Sequence, residues 1–243
     1  MKKLFAKTYN KSKKEYVKLL EDCLKESKKK FVVTANPEAF MLAMNDEAYS
    51  KMLMDTMTDI VPDGIGLVKA GQMLDFAFEE RIPGVDLAEE LLLLSNVYHK
   101  KVFLFGSKKE VIEKMRDVIL EKYPNCIICG LYDGYVDDKE AVFKEMAKQQ
   151  PDVVLVALGM PLQEQLIYKC LNLFKKGIFV GVGGSFDVLS GMKKRAPKIF
   201  IKLNLEWLYR IACEPKRLKR FYDNNVKFIF KIRKYKKMEA KKK

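Results

Sequence analysis

The stretch VVLVALGMPLQEQLIYK, residues 153–169, decides how the chain is read. An apolar run without polar alternation stops at Gly159, passes Pro161, and enters a helical pattern opening with Gln163, Glu164 and Gln165. Such a run suits a strand covered on both faces. Five further runs repeat the theme: FVVTAN, DIVPDG, KVFLFG, CIICG and GIFVGVGG. Helical patterns fill 37–56, 64–76, 85–98, 107–122, 138–150 and 160–175. Short apolar runs separated by helix-length segments predict βαβ units, hence an α/β fold with a Rossmann-like, largely parallel sheet flanked by helices. Such sheets bind ligands beyond the carboxyl ends of their strands. Thr34, Asn36, Asp63, Gly159, Gln163, Gln165, Gly183, Gly184 and Ser185 all follow a run directly and fall at that edge.

At 243 residues with 49% apolar content the chain can bury one substantial core. No window approaches the roughly 18 apolar residues of a membrane span. The opening MKKLFAKTYNKSKK has no apolar stretch of secretory-signal length, and the expectation is a cytoplasmic protein. Five scattered cysteines do not suggest a disulfide framework. Cys126 and Cys129 form a C-x-x-C, but in a strand their side chains would point to opposite faces. His99 is the sole histidine and sits at a predicted helix end, which disfavours Ser-His or Cys-His chemistry.

Charge is unevenly distributed. Residues 192–243 hold 19 Lys/Arg against 4 Asp/Glu, while residues 1–191 hold 27 against 28. A near-neutral body therefore carries a strongly basic tail, whose expected partner is an anionic surface. Two segments are expected: an α/β core over 1–191 and a helical appendage over 192–243. In the appendage Phe200, Leu203, Trp207, Leu208 and Ile211 recur at helical spacing. Pro215 suits the start of a second helix, in which Lys/Arg alternate with Phe221, Tyr222, Phe228, Ile229 and Ile232, and KKMEAKKK is expected to fray. Aromatic residues among cations also suit a nucleic-acid groove, but the neutral body and the polar strand ends argue against it.

No G-x-x-x-x-G-K-[ST] is present, and GIGLVKAG and GVGGSF miss the full dinucleotide fingerprint. No Asp-x-Asp offers a metal for a sugar nucleotide, so neither metal nor cofactor is expected, and a leaving diphosphate must be met by Arg, Lys or backbone N–H groups. Arg81, the one arginine before Lys114, is open to two readings, a surface pair with Glu79 or Glu80 and a phosphate contact. Asp63 is either a turn residue of Asp-Gly or a general base. Thr34 and Asn36 either cap the helix after Pro37 or hold a sugar. Gln163 and Gln165 either face solvent or present amides to a hydroxyl-rich ligand. Asp187 divides evenly between a cap and a nucleotide contact.

Taken in order, T-x-N-x-E (Thr34, Asn36, Glu38), VPDG, R-x-x-G-x-D (Arg81, Gly84, Asp86), ALGMPLQE, GVGGSFDVLSG, KRAP and LEWLYRIACEPKRLKR resemble the WecG/TagA/CpsF family of bacterial glycosyltransferases. The family's usual opening, a short apolar strand with a G-V-x-I/V-D-like turn, has no counterpart at the front of this chain. The resemblance implies an inverting, metal-independent transferase. It would move an N-acetylhexosamine, N-acetylmannosamine in the best-known members, from a UDP donor to polyprenyl-diphosphate-linked N-acetylglucosamine during cell-surface polymer synthesis, as in wall teichoic acid linkage units. It implies Asp63 as base, with Thr34, Asn36, Arg81 and Gln163 around the reacting groups. It also implies an appendage that closes the site and meets membrane and diphosphate through Arg210, Arg217 and Arg220, with the protein peripheral at the inner membrane face. Such an appendage also allows a homo-oligomer whose site is incomplete.

Overall fold

A computed structural model of the chain describes residues 1–241. Helices α1 (Lys2–Lys7) and α2 (Lys13–Lys25) precede strand β1 (Lys29–Ala35), which α3 (Pro37–Asn45) and α4 (Glu47–Met54) follow. Strand β2 (Thr58–Pro62) leads to α5 (Ile65–Met73) and α6 (Gly84–Val97), β3 (Lys101–Gly106) to α7 (Lys109–Lys122), and β4 (Ile127–Tyr132) to α8 (Lys139–Gln149). Strand β5 (Val153–Ala157) hands over to α9 (Leu162–Cys170), and β6 (Gly177–Gly181) to α10 (Ser185–Leu189). Helices α11 (Lys198–Lys202), α12 (Glu206–Cys213) and α13 (Arg217–Phe221) come next. A π-helical turn (Tyr222–Val226) then runs into α14 (Lys227–Ala240).

The six strands form one parallel sheet in the order β2-β1-β6-β5-β3-β4, as the spacing of the apolar runs predicts. Strand β5 shows why alternation is absent: all five of its residues are buried. Val154 and Val156 face one core layer, and Val153 and Leu155 face the other. The first layer takes α3, α4, α5, α8, α9 and α14, and the second takes α2, α6, α7 and α10. Helices α3 and α9, which follow β1 and β5, therefore leave on one face, while α10, which follows β6 between them, leaves on the other. In parallel sheets such divergence of neighbouring connections marks the ligand edge, and here it falls beside β6.

Several local expectations change. The pattern over 37–56 is two helices, because Asp46 ends the first and caps the second, its Oδ1 accepting from the Tyr49 N–H at 3.0 Å. The amphipathic segment around 200–213 breaks at Asn204, whose φ of 58° separates α11 from α12. Residues 236–240 are helical rather than frayed, as part of α14. The closing residues 242–243 lie outside the described residues. At the front α1 packs Leu4 and Phe5 into the core, and Thr8 makes a lone parallel bridge to Ile60. Cys126 and Cys129 do lie in opposite core layers. Among the described residues no helix is long and apolar enough to cross a membrane.

Candidate active site

The residues after β1, β2, β5 and β6 meet at the carboxyl edge in two neighbouring groups. The first surrounds β6. Gln163 and Glu164 open α9 and are turned inward, both nearly fully buried, while Gln165, one helical step on, is exposed. Gln163 Oε1 accepts from the N–H of Gly159 at 3.1 Å and of Gly183 at 3.0 Å, and its Nε2 donates to Glu164 Oε1 at 2.6 Å. One amide thus ties the β5 loop to the β6 loop. Both tied glycines have positive φ, 80° at Gly159 and 50° at Gly183, a region side chains disfavour. Gly181 is needed for a different reason: a Cβ there would lie 2.6 Å from Gln163 Nε2 and 2.9 Å from Glu164 Oε1.

Burial pushes the Glu164 carboxyl up to about 7, against the hydrogen bond from Gln163, and its Oε2 is buried without a partner. Thr34 is buried too, its hydroxyl donating to the Gly181 carbonyl at 3.1 Å. Ser185 Oγ donates to the Val182 carbonyl at 2.6 Å, and Gly184 is exposed. Asn36 caps α3, accepting from the Ala39 N–H at 3.1 Å. Glu38, in the first turn of α3, takes a forked contact from Arg220 at 2.9–3.2 Å, which brings α13 over the end of β1.

The second group is built on Asp63. Its N–H donates to the Ala35 carbonyl at 2.8 Å, which prolongs the β1–β2 pairing by one residue, and the Ile82 N–H donates to the Pro62 carbonyl at 2.6 Å, which sets Arg81 beside it. Asp63 keeps some solvent access yet is enclosed by protein. That enclosure raises its carboxyl from the ordinary 3.8 to about 6. Arg210 and Arg81 oppose the rise, and Glu206 and Asp86 add to it. Arg81 pairs neither with Glu79 nor with Glu80: its Nη1 and Nη2 donate to Glu206 Oε2 at 3.3 and 3.2 Å. Arg210 Nη2 donates to Glu206 Oε1 at 3.0 Å. Arg195 contacts Asp86 at 2.5 Å and lies 3.7 Å from Glu206. Burial works against the charge on Glu206, but Arg210, Arg195 and Arg81 more than offset it and hold its carboxyl below the usual range.

The R-x-x-G-x-D motif now has a physical content. Arg81 reaches α12, Gly84 lets α6 start against Thr34 (a Cβ would sit 3.1 Å from Thr34 Oγ1), and Asp86 meets Arg195. Other candidates stand apart. Arg217 pairs with Glu214 at 2.7 Å near the surface, and Asp187 is 3.8 Å from Lys193. Glu164, Arg195 and Glu206 fall inside the motifs ALGMPLQE, KRAP and LEWLYRIACEPKRLKR, but nothing in the sequence assigns them a role. The available signal for Glu206 is that it is the one acidic residue between Met192 and Cys213. Among the described residues no group of three or more His, Cys, Asp or Glu is placed to hold a metal ion. A groove of about 510 Å³ lined by Met73, Phe230, Arg233, Lys234, Lys236 and Lys237 lies at the far end of α5 from Asp63.

A carboxylate and a set of arginines at the carboxyl edge of a parallel sheet, packed under C-terminal helices, define an α/β protein with a polar, arginine-rich strand-end cluster. The chain belongs to the glycosyl transferase WecG/TagA/CpsF family, whose model matches residues 3–242, and is therefore a glycosyltransferase. A relative from Bacillus subtilis (strain 168) is 44% identical over 189 residues, 78% of this chain and 73% of the relative. One from Staphylococcus aureus (strain NCTC 8325 / PS 47) is 42% identical over 207 residues, 85% of this chain and 80% of its own. One from Bacillus spizizenii (strain W23) is 39% identical over 218 residues, covering 90% and 84%. All three carry the name N-acetylglucosaminyldiphosphoundecaprenol N-acetyl-beta-D-mannosaminyltransferase.

Proposed function

We propose that this protein transfers N-acetylmannosamine, with inversion, from a UDP donor to N-acetylglucosaminyl-diphosphate-polyprenol at the inner surface of the cell membrane, in the synthesis of a cell-surface polymer. The observation that carries the reading is Asp63, a strand-end carboxylate with a pKa near 6 on which Arg81 and Arg210 act, two arginines that share Glu206 with Arg195. A base of that strength is mostly ionised at neutral pH yet still binds a proton usefully. As the acceptor hydroxyl attacks the anomeric carbon, Asp63 takes its proton and the bond to the UDP oxygen breaks. The charge that develops on the diphosphate is met by guanidinium groups, which are permanently charged and suit phosphate geometry. Gln163 and Thr34 act at one remove by fixing the loops around β6, while Gly159 and Gly183, with nothing within 4 Å of a would-be Cβ, leave room for the donor.

The appendage serves as roof and as membrane contact. Ile199, Leu203, Leu208, Leu218 and Tyr222 are exposed among the basic residues of α11–α13. A surface of this composition suits an anionic leaflet, where each Lys or Arg contributes about 1 kcal/mol. Phe228 and Ile232, in contrast, are fully buried and unavailable to lipid.

The test is acceptor-dependent UDP release on anionic vesicles carrying the lipid-diphosphate N-acetylglucosamine acceptor, across a panel of UDP-sugars. One productive donor, UDP-N-acetylmannosamine, is expected. Asp63→Asn should lower kcat by about 10²–10⁴-fold while leaving UDP affinity within about twofold. Loss of UDP binding with kcat retained would remove Asp63 from the role of base.

A further inference from the structure

Helix α12 presents the reverse of an ordinary surface helix. Glu206 is its one buried residue, while Leu208 is exposed and Trp207 stacks on Phe221 with ring centroids 4.4 Å apart. What α12 delivers to the body is a single carboxylate with 7% of its side chain exposed. Arg81 from the body, Arg195 from the segment after α10 and Arg210 from the next turn of α12 all converge on it. A carboxylate offers about four acceptor sites, whereas each guanidinium has about five N–H donors, so Glu206 leaves most of them unused. Arg195 shows this at Nε, which is buried without a hydrogen bond and 3.7 Å from Glu206, while its Nη2 is paired with Asp86 at 2.5 Å. Two arginines of this cluster, Arg210 and Arg81, act on Asp63.

We infer that Glu206 is a positioning residue for the transfer reaction: it holds Arg81 and Arg210 where they act on Asp63 and keeps Arg195 packed against the same carboxylate, so that the charged half of the site is assembled only while α12 is docked. The inference rests on the reading of Asp63 and the arginines given above. Without the carboxylate, three like charges face one another with only Asp86 and Asp63 to compensate them. The guanidiniums then spread apart, and the nearest of them draw on Asp63 instead. Both changes act on the chemical step: the leaving diphosphate loses preset donors, and Asp63 becomes a weaker base.

Two full-length variants test this, Glu206→Gln, which keeps the shape without the charge, and Glu206→Asp, which keeps the charge on a shorter arm. Two readouts are needed. One is kcat and KM for the UDP-sugar on acceptor vesicles. The other is the titration of Asp63, followed by NMR of protein ¹³C-labelled at the aspartate carboxyls and assigned with Asp63→Asn. In Glu206→Gln, kcat should fall about tenfold or more with donor KM changed by less than about threefold, as for an interaction made mainly in the transition state. The Asp63 midpoint should drop below that of the wild type, and Glu206→Asp should restore the midpoint and part of the rate. A mere anchor for α12 would, once lost, take Arg210 out of the site altogether, so donor KM would rise and thermal stability fall along with kcat. The kcat-against-KM split separates the two roles. Wild-type kcat together with a wild-type Asp63 midpoint in Glu206→Gln would overturn the inference, and so would an equal loss of rate in both variants with that midpoint unmoved. If Glu206→Gln does not fold, Glu206→Asp decides: a lowered kcat at unchanged thermal stability supports positioning, and a wild-type kcat overturns it. Should the wild type release no UDP from any donor, the proposed function fails, and the Asp63 titration by itself still judges Glu206.

Discussion

Two helices of the basic C-terminal segment are attached by opposite means. Helix α14 places Phe228 and Ile232 in the main core, where Phe228 meets Phe40 edge-on with centroids 6.1 Å apart. Helix α12 buries no apolar residue and is held by Glu206 among three arginines. Apolar burial is non-directional and scales with area, so α14 is a permanent part of the body although its surface carries Lys231, Arg233, Lys234, Lys236 and Lys237. A buried ion cluster depends on geometry and on every partner being present, so the docking of α12 and the state of the site are one event. The contrast shows that a single basic tail holds two devices, an anchor and a part of the cleft.

The anchor is tested most severely by Phe228→Ala, which should lower unfolding free energy by about 3–5 kcal/mol in urea titration. A loss under about 0.5 kcal/mol would make α14 a detachable tail and erase the contrast. Cutting the chain near Gly191 is a poor alternative, because it removes Phe228 and Ile232 from the core together with the surface proposed to meet lipid.

The charged cluster should show its cost in pH. The fold raises the Asp63 pKa to about 6 from the ordinary 3.8, so it favours the neutral carboxyl. The associated stability is complete below the unfolded value and is lost as pH rises through about 6. Asp63→Asn should therefore be more stable than the wild type at pH 7.5, by about 1–3 kcal/mol, and level with it near pH 3.5. In the wild type kcat/KM should rise with pH through the same midpoint. Equal stability at both pH values would mean that Asp63 is not held against its charge.

The smallest effect on the fold belongs to the outward face of α12. Leu208→Glu should change stability by less than about 0.5 kcal/mol and yet reduce retention on anionic vesicles. Unchanged retention would move the membrane contact away from α12 and leave α14, with its exposed Phe230, as the alternative.

The two groups at the cleft were unequally legible in the sequence. Parallel strands announce themselves, since β5 and β6 must be apolar throughout to be covered on both faces, and whatever follows them must lie at the ligand edge. That logic places Asp63, Gly159, Gln163, Gly183 and Ser185 from local pattern alone. It does not say which way a side chain turns. In PLQEQ the helical step decides, sending Gln163 and Glu164 inward to the β6 loop and Gln165 to solvent. Arg81 was open between a neighbouring glutamate and a ligand, and its actual partner lies 125 positions away.

The sequence by itself determined the parallel α/β body, its ligand edge, the basic tail and the family, because each is written in periodicity, composition or contiguous motif. Only the tertiary structure decided that α14 belongs to the core, that α12 turns its one carboxylate inward, and that Asp63, Arg81, Arg195, Arg210 and Glu206 share one cluster. Those facts depend on contacts between segments far apart in the chain, and local pattern carries no record of the distance between them.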